Sequence, residues 1–92
     1  MRSYVRFTRI PGDQFDIVFI RKVYVPPHLR GTGRARRMLT RFLERHRAAY
    51  IMLEAYPFGT GGPGASHLTR FYRSLGFKIL RGASINLMIK EP

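Results

Sequence analysis

Apolar and polar residues change rhythm several times along this chain, and each change marks an element. Tyr4 to Arg9 alternates, Y-V-R-F-T-R, the two-residue period of a strand. Pro11-Gly12-Asp13-Gln14 reads as a turn. Phe15 to Val25 is a longer apolar run that stops at Pro26-Pro27. It makes a second strand, hairpinned to the first, and its length calls for a bend or bulge before Val25. From Ala35 the rhythm turns helical: Ala35, Met38, Leu39, Phe42 and Leu43 fall at i, i+3, i+4, i+7 and i+8. This predicts a helix over residues 34–49, with Arg34, Arg37, Arg41, Glu44 and Arg45 on its outer face. Tyr50 to Ala55 is the next strand. A helix precedes it, so it runs parallel to Phe15–Val25.

The second half is read the same way. Tyr56 to Ala65 holds four of the nine glycines, which suits either a slack connection or a lip over a binding site. Ser66 is placed to cap a helix over residues 67–75. Leu68, Phe71, Tyr72 and Leu75 are its apolar stripe and Gly76 its stop. Phe77–Leu80 and Ile85–Ile89 are two last strands, joined by Arg81-Gly82-Ala83-Ser84. The expected order is β-β-α-β-α-β-β, an α/β fold on a mixed, mostly antiparallel sheet. No repeat or linker interrupts it, so residues 1–92 form one domain.

Composition narrows the chemistry. The chain is 45% hydrophobic and 13% aromatic, enough for a small core. It has no cysteine, which removes disulfides, thiolate metal sites and a cysteine nucleophile. His28, His46 and His67 lack metal-ligand spacing, so no metal is expected. No apolar run reaches the ~20 residues of a membrane span. Met1-Arg2-Ser3-Tyr4 lacks the apolar region of a signal peptide. The expectation is a cytoplasmic protein without a membrane partner. A net charge of +12 implies an anionic ligand, or nonspecific contact with nucleic acid. Arginine dominates, with lysine only at positions 22, 78 and 90. The guanidinium is the better fork for phosphate, although genomic base composition gives the same bias.

The stretch between the second strand and the long helix carries the candidate chemistry. Amides in the first turn of a helix lack internal partners, and the dipole puts partial positive charge there. Glycines just before it let the backbone approach a ligand, and the combination binds phosphate. Here Gly31 and Gly33 precede the helix, and Arg30, Arg34, Arg36 and Arg37 surround it. The spacing alone fits an ordinary tight turn equally well. A Walker A loop fails for want of its lysine. A Rossmann fingerprint fails at Arg36, where a small residue is required, although Glu54 could mimic its ribose-binding acid.

A third pattern fits: Arg/Gln-x-x-Gly-x-Gly/Ala, matched by Arg30-Gly31-Thr32-Gly33-Arg34-Ala35. It follows Val23-Tyr24-Val25-Pro26-Pro27, and Phe71-Tyr72-Arg73-Ser74-Leu75-Gly76-Phe77 comes later. Together these resemble the GNAT family of N-acetyltransferases, over roughly Phe15 to Ile89. The family's usual N-terminal strand and two helices have no counterpart in the chain.

The resemblance implies a sheet whose central strands splay apart, with acetyl-CoA, the co-substrate, wedged between them. Amides near Val23 and Val25 would pair with the pantetheine arm, one polarising the thioester carbonyl. Those of Arg30, Gly31, Thr32, Gly33, Arg34 and Ala35 would hold the pyrophosphate. A primary amine would then attack the carbonyl directly. Tyr72 takes the place of the acid that serves the departing thiolate, and it also falls on the apolar stripe of its helix. The family's glutamate on the strand before the loop is absent; Arg21 and Lys22 stand there instead. Glu54 is the best remaining base, with His28 and His67 as alternatives. The asparagine that often precedes the second helix is missing too, with Ala65 near its place. Without the N-terminal helices the acceptor site should be open, suiting an amine on a protein, unless a homodimer rebuilds the wall. The alternative is a catalytically weak CoA-binding module, or a basic module for nucleic acid or protein, on the same fold.

Overall fold

The computed structural model describes residues 2–55, 65–80 and 87–92. The elements are β1 (Tyr4–Ile10), β2 (Ile17–Tyr24), a 3-10 turn (Pro27–Leu29), α1 (Arg34–Arg45), β3 (Tyr50–Glu54), α2 (Ala65–Ser74), β4 (Lys78–Ile79) and β5 (Leu87–Lys90). The sheet order is β1-β2-β3-β5-β4. Only β2 and β3 pair in parallel; the other three pairs are antiparallel. The predicted order of elements and the mixed sheet are both found.

The two crossovers, β2-α1-β3 and β3-α2-β4, move across the sheet in the same direction. Right-handed connections therefore put both helices on one face. Arg36 of α1 accordingly reaches α2, donating to Ser74 Oγ at 2.8 Å, with its guanidinium 5.2 Å from the Phe71 ring centroid. Alternate strand residues Val18, Ile20, Ile51, Leu53 and Met88 meet Leu39, Phe42, Leu43, Leu68 and Tyr72 from the helices in one buried cluster.

The bend expected before Val25 is a β-bulge. Arg6 pairs with Lys22 but Phe7 with Ile20, so Arg21 is one residue too many on β2. The extra residue turns β2 away from β3. Their parallel ladder runs from Ile17–Tyr50 to Ile20–Leu53 and stops. Beyond it β2 continues to Tyr24 against β1, while β3 continues to Glu54 against Leu87 of β5. The central strands form a fork, as the splay predicted.

Several boundaries differ from the sequence reading. Helix α1 ends at Arg45 rather than at residue 49. Propensity favours continuing through Arg47-Ala48-Ala49, but tertiary contacts at His46 win. Its ring lies 5.1 Å from Phe7 and 4.5 Å from Phe42, with Nδ1 3.0 Å from Arg9 Nη1. The chain then turns into β3, where the Tyr50 N–H donates to the Asp16 carbonyl at 2.9 Å. Ser66 does not cap α2; the helix begins at Ala65, a strong helix former, and Ser66 lies within it. The stop at Gly76 holds, at φ +102°. Its N–H donates to the Arg73 carbonyl and that of Phe77 to the Tyr72 carbonyl, the paired bonds of a Schellman motif. Strand β4 spans only Lys78–Ile79; β5 covers Leu87–Lys90 among the described residues, one residue beyond the expected end at Ile89. The glycine-rich stretch from Tyr56 and the Arg81–Ser84 connection lie outside the described residues.

Candidate functional site

A cavity of about 800 Å³ opens where β2 leaves β3. One wall is the end of β2, Lys22 to Val25; the loop adds Leu29, Arg30, Gly31 and Gly33. Arg34, Ala35 and Arg36 close one end from α1, and Leu68, Phe71 and Tyr72 the far side from α2. A smaller cavity of about 200 Å³ continues along the fork between Ile20 and Leu53, with Glu54 in its wall. Lys22, Val23 and Tyr72 belong to both.

The fork leaves backbone groups to be satisfied. Past Ile20, β2 has β1 on one side and no strand on the other. The N–H and C=O groups of its last residues on the fork side are therefore free to pair with amides of a bound molecule.

At the other end the loop is held at both sides. Arg30 Nε donates to the Val25 carbonyl at 3.1 Å, tying the loop to β2, and the Arg36–Ser74 bond ties α1 to α2. Gly31 and Gly33 sit at φ +80° and +81°, where a side chain is strained. A Cβ at Gly31 would meet nothing within 4 Å, so the backbone there is exposed on the cavity. Gly33 heads α1 with no side-chain cap. The first amide to bond back into the helix is that of Arg37, to the Gly33 carbonyl at 3.1 Å. The amides of Arg34, Ala35 and Arg36 consequently have no acceptor within the helix. Lys22, Arg30, Arg34 and Arg36 line this cavity and no carboxylate does.

Thr32 is the one loop residue expected at the site whose side chain is absent from the wall; its hydroxyl donates back to the Leu29 carbonyl. Tyr72 is both core and site. It is 4% exposed, packs against Phe71 and Phe77 at 5.3 and 5.7 Å, and still lines both cavities. Burial pushes its phenol up to about 12, so it stays protonated throughout the neutral range. Glu54 shares the smaller cavity with it, exposed at the end of β3. Of the alternative bases, His67 lines the larger cavity, while His28 is exposed on the 3-10 turn and lines neither.

The sequence reading did not anticipate the bridging role of Arg36, or the apolar wall of Leu29, Leu68 and Phe71. For α2 the signal was present in the helical stripe itself. For Arg36 there was none, because its partner is distant in the chain. Among the described residues no group of His, Asp or Glu is arranged to hold a metal, and no helix is long and apolar enough to cross a membrane.

By sequence, no family profile and no curated protein matches the chain. By structure it is similar to the anti-CRISPR protein AcrVA5, with a TM-score of 0.69 at 23% identity, covering 95% of this chain and 87% of that one. It is also similar to a GNAT-family protein of Bacteroides thetaiotaomicron assigned as an acetyltransferase. There the TM-score is 0.64 at 20% identity, covering 96% of this chain and 55% of that one. The likeness lies in the path of the backbone: the chain has a GNAT-like fold.

Proposed function

We propose that the chain is an acetyl-CoA-dependent N-acetyltransferase acting on a primary amine of a protein. The observation that carries this is the forked cavity, whose two ends differ as the ends of acyl-CoA do. Along β2 the cavity offers apolar walls and unpaired strand amides; at the loop it offers a helix N-terminus, two left-handed glycines and arginines. The first suits an amide-bearing thiol arm and the second a pyrophosphate.

In this reading the amides of Arg30, Gly31, Thr32, Gly33, Arg34 and Ala35 donate to the pyrophosphate oxygens. The Val23 and Val25 backbones pair with the pantetheine amides, and one N–H also donates to the thioester oxygen, where negative charge develops. The co-substrate supplies an acetyl group already activated as a thioester. The acceptor nitrogen bonds to the carbonyl carbon, the carbon–sulfur bond breaks, and the electron pair leaves on sulfur. Tyr72 donates its hydroxyl proton toward that sulfur. Glu54 takes the proton lost by the amine, directly or through one water. Its exposure at the end of β3 suits an acceptor presented from outside, such as a lysine side chain.

A second reading is favoured by one feature, the cationic Arg21-Lys22 where a basic carboxylate is expected. It is a CoA-binding module without chemistry. Incubation with acetyl-CoA and a panel of protein and peptide amines separates the two. Acetylated amines by mass spectrometry, with release of the CoA thiol, are expected. Binding of acetyl-CoA with no transfer to any amine would replace the enzyme by the module.

A further inference from the structure

A second cavity lies on the other flank of α1. Leu39 and Leu43 turn inward to the core, and the opposite side of the helix overhangs β1, the outermost strand of the sheet. The groove between them, of about 640 Å³, has a floor of Val5, Phe7, Met38 and Phe42. Its rim is Arg2 with Arg34, Arg37, Arg41 and Arg45, and no carboxylate lines it. Phe7 remains 41% exposed there although it packs against Phe42. At the groove's end Ser3 Oγ is buried without a hydrogen-bond partner among the described residues.

Three features meet in this groove. Among the described residues β1 pairs with β2 alone, so its outer edge presents a row of N–H and C=O groups unpaired by them. The arginines of α1 recur at every third or fourth residue, about 4.5–6 Å apart along a helix rising about 1.5 Å per residue. Side chains on one face of a strand recur every two residues, about 6.7 Å. A strand added to β1 would therefore carry every second side chain past the arginine row in near register. We infer that the groove between α1 and the free edge of β1 takes an extended acidic polypeptide segment as an added strand, with carboxylates at alternate positions facing α1.

The other occupants fit worse. A second copy pairing through β1 would bring two arginine rows and two copies of Arg6 and Arg9 side by side, and like charges so placed repel. A nucleic acid would satisfy the arginines, but its phosphates only accept hydrogen bonds and leave the carbonyls of the edge unmatched. A polypeptide backbone offers donors and acceptors in alternation, which is what the edge requires. The groove does not depend on the acyltransferase reading, and the test uses a probe with no amine.

The probe is a fluorescein-labelled, terminally blocked peptide alternating glutamate with valine and threonine. Its binding is read by polarisation at about 0.15 M salt. Two controls accompany it: the same peptide N-methylated at alternate backbone nitrogens, and an oligothymidylate of equal charge. Binding of the first peptide is expected, with N-methylation abolishing it and hydrogen exchange slowing at β1 amides. Arg41→Glu/Arg45→Glu, both exposed and remote from the glycine loop, should weaken it about tenfold or more while circular dichroism stays unchanged. No binding, equal binding of the N-methylated peptide, tighter binding of the oligothymidylate, or elution of the protein as a dimer with β1 already protected would each overturn the proposal.

Discussion

Tyr72 and His46 are both buried polar rings, and they make opposite demands. Tyr72 holds its proton because burial raises the phenol to about 12. If it donates to the leaving sulfur, Tyr72→Phe keeps the ring packing against Phe77 and loses only the hydroxyl. Acetyl-CoA binding should then be nearly unchanged, and turnover should fall about ten- to a thousandfold, the lower part of the range for a general acid. A variant as active as the parent would leave Tyr72 as core alone. His46 is 8% exposed and must be neutral: Arg9 Nη1 only donates, so Nδ1 must accept. Burial first, then the charges of Arg9 and Arg45, lowers its pKa. The unfolded chain takes up that proton near pH 6.5, so the stability His46 contributes is full above that value and lost as pH falls below it. The melting temperature should drop between about pH 7 and 5 and drop less in His46→Gln. Asp16 does not confuse the test. Its carboxyl, held down first by the hydrogen bond from Arg9, gives up its share only below its ordinary 3.8. An identical pH profile in His46→Gln would remove His46 from the account. The sequence marked Tyr72 through its motif. It could not mark His46, whose partners Phe7 and Arg9 lie on another element.

Elements were legible where a local rule sets them and blurred where packing does. Gly76 stops α2 because φ +102° excludes a Cβ at little cost only in glycine. Gly76→Ala, whose Cβ would also meet Lys90 Cε at 3.4 Å, should cost about 1–2 kcal/mol in urea unfolding. A change within error would mean that the Schellman turn relaxes freely. The end of α1 has no such marker: alanines follow it, and a buried histidine four residues earlier than expected ends it instead. The bulge at Arg21 shows both sides of this. The length of the apolar run required a bend before Val25, but pairing alone reveals which residue is extra and that the bend is what parts β2 from β3.

Eight of the seventeen Lys and Arg residues line the two larger cavities, and most of the topology follows from the order of periodic segments and right-handed crossovers. Strand order, with β5 inserted between β3 and β4, was not legible, because a two-residue β4 carries no periodicity. The net charge of +12 predicts that any affinity for nucleic acid is electrostatic. With no recognisable base-reading motif in the sequence, that affinity should be sequence-independent and fall steeply with salt as counterions are released. A mobility-shift series in rising salt, with two unrelated duplexes, checks this. Tight preference for one sequence at about 0.15 M salt would contradict it.

If the chain is an acyltransferase, the fork must hold acetyl-CoA with its pyrophosphate on the glycine loop. Calorimetric titration of acetyl-CoA into the parent, Gly33→Asp and Arg47→Glu tests that most directly. Aspartate at Gly33 puts a side chain into a φ of +81° and a negative charge beside the helix N-terminus. Arg47→Glu makes twice that charge change at an exposed residue beyond the other end of α1, a stricter control for net charge alone. The parent should bind, Gly33→Asp should lose at least about tenfold, of order 1.4 kcal/mol, and Arg47→Glu should bind nearly as the parent does. Unchanged affinity in Gly33→Asp, or an equal loss in Arg47→Glu, would contradict the site.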